Sequence, residues 1–261
     1  MTVKGLINGI RIIVESDPDA ASRTAAELIA RQIAEKTDCV LGLATGGTPV
    51  QTYERLIQMN ASGEVDFARV TTFNLDEYIG LDRQHSQSYR VFMNTHLFNH
   101  INIDLNRTFV PDGCAGDIPR HCAEYESMIQ SAGGIDLQLL GLGHNGHIAF
   151  NEPGSPVNSR TRQVDLTAET IEKNARFFPT INDVPRHAIT MGIATILEAK
   201  SILLLALGEA KSDAVDAMLQ GPITQSHPAS LLRNHNDVTV VLDEAAAGKT
   251  SVVDRSAISM D

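Results

Sequence analysis

Residues 141–153 run Gly-Leu-Gly-His-Asn-Gly-His-Ile-Ala-Phe-Asn-Glu-Pro, which sets two histidines, two asparagines and a glutamate directly after an apolar stretch. That set suits proton traffic. His147 could move a proton, Glu152 could orient or relay for it, and Asn145 could hold a hydroxyl by hydrogen bonding. A turn rich in local hydrogen bonds would account for the Asn and Gly but not for the His and Glu beside them. His144 and His147 are three apart, which raises a metal site. Gly143 and Gly146 disfavour a helical His pair, and no third ligand stands nearby, so no metal and no other cofactor is expected.

Two further segments carry chemistry. Phe73-Asn-Leu-Asp-Glu-Tyr78 places Asp76 and Glu77 just past an apolar run. A carboxylate held over a substrate can move a proton between adjacent carbons, so Asp76 is a candidate base; the alternative is that both acids cap a helix or turn. Ala44-Thr-Gly-Gly-Thr-Pro49 also follows an apolar run. The backbone at Gly46 and Gly47, the hydroxyls of Thr45 and Thr48 and a following helix N-terminus could cradle an anion. Lacking the lysine and glycine spacing of a P-loop or dinucleotide fingerprint, the segment could equally be an ordinary strand–helix turn. A phosphate dianion also calls for cations. Arg176 and Lys211 are candidates, and Lys211 at the start of a helix is unfavourable for the dipole and so suggests another purpose. Each taken singly could be a solvated surface cation.

These segments must be positioned by something. Apolar, strand-like runs at 10–14, 39–44, 70–73, 137–141, 187–191, 201–207 and 238–242 alternate with helix-like runs at 88–98, 118–129 and 209–219, and with amphipathic stretches after Ser16 and Pro49. Ser16 offers an N-cap and Pro49 suits a first helical position. The pattern predicts a single-domain, Rossmann-like α/β fold over 1–261, a mostly parallel sheet with helices on both faces. In such sheets ligands bind beyond the C-terminal strand ends, where the three Gly-rich or acidic segments fall. Residues 245–261 are polar and rich in small residues, a tail expected to be poorly ordered.

Composition narrows the classes. The 261 residues are 43% hydrophobic and 20% charged, with a net charge of −11. An acidic surface argues against nucleic acid and anionic membranes as partners, and leaves any phosphate site dependent on local donors. No run approaches the roughly 20 apolar residues of a membrane-spanning helix, and the stretch 1–14, broken by Asn8, Gly9 and Arg11, lacks the unbroken apolar region expected of a signal peptide. Cys39, Cys114 and Cys122 form no disulfide framework, and reduced thiols point to the cytoplasm.

The motifs ATGGTP (44–49), TFNLDEY (72–78), GHNGHIAFNEPGS (143–155), SRTR (159–162), NARFF (174–178) and LGEAK (207–211) stand in the order found in glucosamine-6-phosphate deaminases, and the resemblance runs from about residue 10 to residue 245. The related 6-phosphogluconolactonases share the fold and a GHxA-type element, but the sequence does not continue as theirs do. The resemblance implies conversion of glucosamine 6-phosphate to fructose 6-phosphate and ammonia without a metal. It implies that Asp76 shuttles the proton between C2 and C1, that His147 opens the pyranose ring with Asn145 and Glu152, and that Thr45, Gly46, Gly47, Thr48, Arg176 and Lys211 hold the 6-phosphate. It also implies a mobile lid at about 162–186. Some members carry Asp at the position of Asn145, so a direct carboxylate role there is absent. Members activated by N-acetylglucosamine 6-phosphate use a basic residue where this chain has Val164, so weak or absent activation is expected. Members range from monomers to hexamers, which leaves a homo-oligomer open. Galactosamine 6-phosphate is the rival substrate. A sugar-phosphate sensor is the rival class, but such repressors carry a helix-turn-helix, and residues before 39 read as only one strand and one helix.

Overall fold

A computed structural model of the chain describes residues 2–250. Eleven strands are found among them: β1 (Val3–Ile7), β2 (Ile10–Glu15), β3 (Val40–Leu43), β4 (Thr71–Asn74), β5 (Asp76–Tyr78), β6 (Thr108–Phe109), β7 (Leu137–Gly141), β8 (Arg162–Asp165), β9 (His187–Thr190), β10 (Ser201–Ala206) and β11 (Val238–Asp243). The α-helices are α1 (Pro18–Glu35), α2 (Val50–Ala61), α3 (Tyr89–His96), α4 (Ile118–Ser131), α5 (Ala168–Asn174), α6 (Ile193–Leu197) and α7 (Ser212–Gln220).

Local signals explain most boundaries. The helix after β2 starts one residue later than Ser16 would set it: Asp17 is the N-cap, accepting the Ala20 N–H at 2.9 Å, and Pro18 fills the first turn, where a missing N–H costs nothing. Ala21, Ala25, Ile29 and Ile33 recur every fourth residue on the buried face of α1. Pro49 is the N-cap of α2 rather than its first residue, and it makes no side-chain cap. The Asn8-Gly9 break hides β1 from the sequence pattern. It is a hairpin turn: both residues have positive φ, and β1 returns antiparallel onto β2. Residues before 39 therefore supply two strands and one helix.

The main sheet has eight strands in the order β1-β2-β11-β10-β7-β3-β4-β6, parallel throughout except at β1. It is the predicted mostly parallel sheet, flanked by helices, with buried Ile, Leu and Val along β2, β3, β7, β10 and β11. From β3 the chain builds outward through β4 to β6. It then returns to the other side of β3 at β7 and builds through β10 to β11. The direction reverses between β3 and β7, and that switch point opens a crevice at the C-terminal strand ends. At the opposite rim the buried carboxylate of Asp136 accepts bonds from Lys36, Lys200 and the Val40 N–H, each at 2.7 Å. Burial pushes that carboxyl up, but the two lysines outweigh it and hold it below the usual range.

A second, three-stranded antiparallel sheet, β5-β9-β8, has no counterpart in the sequence pattern. Residues 187–191, expected beside the parallel strands, instead pair with β5 and β8. Leu75 joins the two sheets: its N–H reaches Leu43 O at 3.2 Å and its carbonyl accepts the Met191 N–H at 2.7 Å. Residues 162–186, the expected lid, comprise β8, α5 and two short 3-10 turns. In the tail, Ala246 and Ala247 are fully buried. Residues 251–261 lie outside the described part of the chain.

Candidate active site

Four strand ends supply the crevice. β3 runs into Thr45, Gly46, Gly47 and Thr48, and β4 runs through Leu75 into Asp76. β7 runs into the His144–His147 turn, and β10 runs through Gly208 into the turn Glu209–Lys211. All four meet in one cavity of about 660 Å³, with Arg176 on its rim. The fold thus brings the segments of Thr45, Gly46, Gly47, Thr48, Asp76, His147, Arg176 and Lys211, all candidates from the sequence, to one cavity. Asn145 and Glu152 stand behind His147 rather than on the wall.

The glycine loop is held from below, where the buried Tyr53 hydroxyl donates to Ala44 O at 2.5 Å. Gly46 has φ +92°, a conformation that side chains resist, and a Cβ on Gly46 or Gly47 would meet only open space. The first N–H groups of α2 have no side-chain cap, so the loop and helix end present donors to an anion. The Lys211 turn is fixed by Asp243, whose two carboxylate oxygens take the Gly208 N–H at 3.0 and 3.1 Å.

Asp76 and Glu77 differ in what surrounds them. Glu77 is the capping acid, accepting N–H groups from Tyr78 (2.9 Å), Tyr89 (2.9 Å) and Arg90 (3.1 Å) at the start of α3. Asp76 faces the cavity instead. Burial, reinforced by the neighbouring Glu77 charge, pushes its carboxyl up to about 8. Burial likewise lifts Glu77 to about 7 despite its three backbone donors.

The imidazole of His147 packs on Gly143, where a Cβ would lie 2.4 Å from the ring. Its Nδ1 stands 3.4 Å from Glu152 Oε2, within ion-pair reach but not aligned for a hydrogen bond. Asn145 donates to the same oxygen at 2.8 Å and accepts the His147 N–H at 3.2 Å. Burial pushes the Glu152 carboxyl up, but His147, Asn145 and Thr170 outweigh it and hold it at about 2. The result is an ionised carboxylate behind an imidazole whose opposite edge faces the cavity. His144 also lines the cavity, its ring edge-on to that of His147, and its Nε2 meets Glu169 at 2.7 Å. Among the described residues no group of three or more His, Cys, Asp or Glu is placed to hold a metal ion.

Tyr89, Phe150, Thr170, Asn174 and Ala210 also line the cavity and are not among the candidates from the sequence. The signal for two of them was present. Thr167 is a helix N-cap, so Thr170 and Asn174 fall four apart on one face of α5. Tyr89 and Phe150 had no such signal, since only the second sheet gathers them around Tyr78.

Fold and site together define an α/β protein with a polar small-ligand cleft at the switch point of its sheet. The chain belongs to the glucosamine-6-phosphate isomerase/6-phosphogluconolactonase family, whose pattern matches residues 16–241, in agreement with the resemblance read from the motifs. It is 55% identical over 238 residues to a glucosamine-6-phosphate deaminase of Clostridium perfringens, covering 91% of this chain and 98% of that one. It is 53% identical over 253 residues to one from Rhodopirellula baltica, covering 97% and 100%. A solved monomeric glucosamine-6-phosphate deaminase of the NagB superfamily superposes with a TM-score of 0.89 at 47% identity, covering 91% of this chain and 98% of that one. The 6-phosphogluconolactonase of Trypanosoma brucei, 22% identical with a TM-score of 0.74 over 92% and 98% of the two chains, shares the fold.

Proposed function

We propose that this protein converts glucosamine 6-phosphate and water to fructose 6-phosphate and ammonia. The observation that carries the reading is the meeting of the Gly46–Gly47 loop, the buried Asp76 carboxyl and His147 in one cavity, in a chain about half identical to deaminases throughout its length. The 6-phosphate sits on the loop and the α2 N-terminus, with Arg176 and Lys211 as counter-charges. Holding this non-reacting group orients the sugar. His147, backed by Glu152 and Asn145, moves the anomeric proton to the ring oxygen and opens the pyranose. Asp76 takes the C2 proton to give an enolamine and returns a proton to C1. The resulting ketimine adds water and releases ammonia. Burial suits Asp76 to this task, because a base works best when its pKa lies near the working pH.

The phosphate loop, Asp76 and His147 all come from one chain, which is compatible with a monomer or a homo-oligomer. No helix among the described residues is long and apolar enough to cross a membrane. The free thiols of Cys39, Cys114 and Cys122 support a reducing, cytoplasmic setting. The test is ammonia release from glucosamine 6-phosphate, with galactosamine 6-phosphate and EDTA-treated enzyme as parallel arms. Release from the gluco sugar, unaffected by chelation, is expected. Release from the galacto sugar alone, or loss on chelation, would overturn the substrate or the metal-free chemistry respectively.

A further inference from the structure

Helix α5 lines the cavity with Thr170 and Asn174 and touches Glu152, behind His147, through one hydroxyl. Thr167 caps the helix by accepting the Thr170 N–H at 3.2 Å, and its own hydroxyl donates to Thr170 Oγ1 at 3.0 Å. Thr170 Oγ1 in turn donates to Glu152 Oε1 at 3.1 Å. The other oxygen, Oε2, takes the Asn145 amide and faces His147 Nδ1. Thr170 is the one donor to Oε1 among the described residues. The terminal torsion of a glutamate is a broad two-fold rotor, so its partners set the plane of the carboxylate. Fixing Oε1 from α5 therefore fixes the direction in which Oε2 faces the imidazole.

The far end of the same helix is also tied down. Asn174 Nδ2 donates to the Tyr78 hydroxyl at 2.8 Å, and α5 continues directly into the turn Ala175–Phe177 that carries Arg176. One short helix thus spans from the phosphate end of the cavity to the carboxylate behind His147.

We propose that Thr170 is a positioning residue: through its hydroxyl, α5 holds the Glu152 carboxylate in the plane that presents Oε2 to His147, so that ring opening is fast only while α5 is docked. The inference rests on the deaminase reading above, and it adds a route by which a phosphate bound at Arg176 supports proton transfer at the other end of the sugar. A hydrogen bond to a charged group is strong enough for its loss to slow the step by about tenfold.

The test uses Thr170→Val, which keeps the shape and removes the hydroxyl, and Thr170→Ser, which restores it. Turnover is measured with glucosamine 6-phosphate carrying hydrogen or deuterium at C2. Ring opening precedes cleavage of the C2 bond, so slowing it conceals the isotope effect. The expected result for Thr170→Val is kcat about tenfold lower, KM within a few fold of wild type and a C2 isotope effect close to one, with Thr170→Ser near wild type. Unchanged kcat would overturn the proposal. So would a slow Thr170→Val with a full C2 isotope effect, or a Thr170→Ser as slow as the valine variant. A wild-type enzyme that releases no ammonia would instead remove the deaminase reading itself.

Discussion

Asp76 and Glu77 are adjacent and almost equally buried, 6% and 2% exposed, yet their surroundings give them different work. Glu77 spends its oxygens on three backbone N–H groups, while the Asp76 carboxyl has the cavity before it. From the sequence Asp76 is the candidate base, with the alternative that both acids cap a helix or turn; that Glu77 alone takes the backbone N–H groups is not legible there. That choice depends on β5, whose register with β9 sets which side chain faces which way. The raised Asp76 pKa has a consequence for stability. Its folded value, about 8, exceeds its ordinary 3.8. Its contribution is therefore complete below about pH 4 and is lost as pH rises through about 8. Asp76→Asn removes that loss. The variant is expected to melt higher than wild type by a margin that widens between pH 5 and pH 9. The gain is on the order of 1 kcal/mol or more, since a tenfold change in proton affinity on folding is worth about 1.4 kcal/mol. Carboxyl 13C NMR of the free enzyme should show one aspartate titrating far above the usual range, with that resonance absent from Asp76→Asn. A margin independent of pH would contradict the assignment.

At the scale of elements, the cap that Glu77 provides holds α3 and, with it, Tyr89 on the cavity wall. Glu77→Ala strands three N–H groups and should cost about 2 kcal/mol in urea unfolding, with Glu77→Gln costing less because one acceptor oxygen remains. The main sheet was legible because its strands are continuously apolar: Leu137, Leu139 and Leu140 in β7, or Ile202 to Leu205 in β10, fit a sheet covered on both faces. The second sheet was not. Asp-Glu-Tyr is short and acidic, and Arg-Gln-Val-Asp in β8 is only half-buried, so neither carries a strand's hydrophobic signature. The His-Asn-Gly-His segment was legible because a plain turn leaves His147 and Glu152 unexplained, whereas the glycine loop read equally as an anion cradle or an ordinary strand–helix turn until the fold set it beside Asp76 and His147. For Thr170 the sequence carries only its place on one face of α5 after the Thr167 cap; that this face meets Glu152 follows from what α5 lies against.

At the scale of the molecule, the switch point between β3 and β7 accounts for how segments about 100 residues apart form one cavity. Regulation belongs here as well. Val164 lies in β8 among Tyr78, Leu166 and Ala188, an apolar setting with no cation for an effector phosphate at that position. Rate against glucosamine 6-phosphate is therefore expected to be hyperbolic and unchanged by N-acetylglucosamine 6-phosphate. A sigmoidal curve that this effector makes hyperbolic would contradict the expectation. The net charge of −11 repels a phosphorylated sugar at long range, so the proposed phosphate site depends on local donors, for which the glycine loop, Arg176 and Lys211 are the candidates. The measurement closest to the whole account is steady-state ammonia release by Asp76→Asn beside wild type, paired with substrate binding. A placed base is worth about 10²–10⁴-fold. Binding is expected to be retained with turnover lower by about 10²-fold or more, and near-normal turnover by this variant would contradict a catalytic role for Asp76.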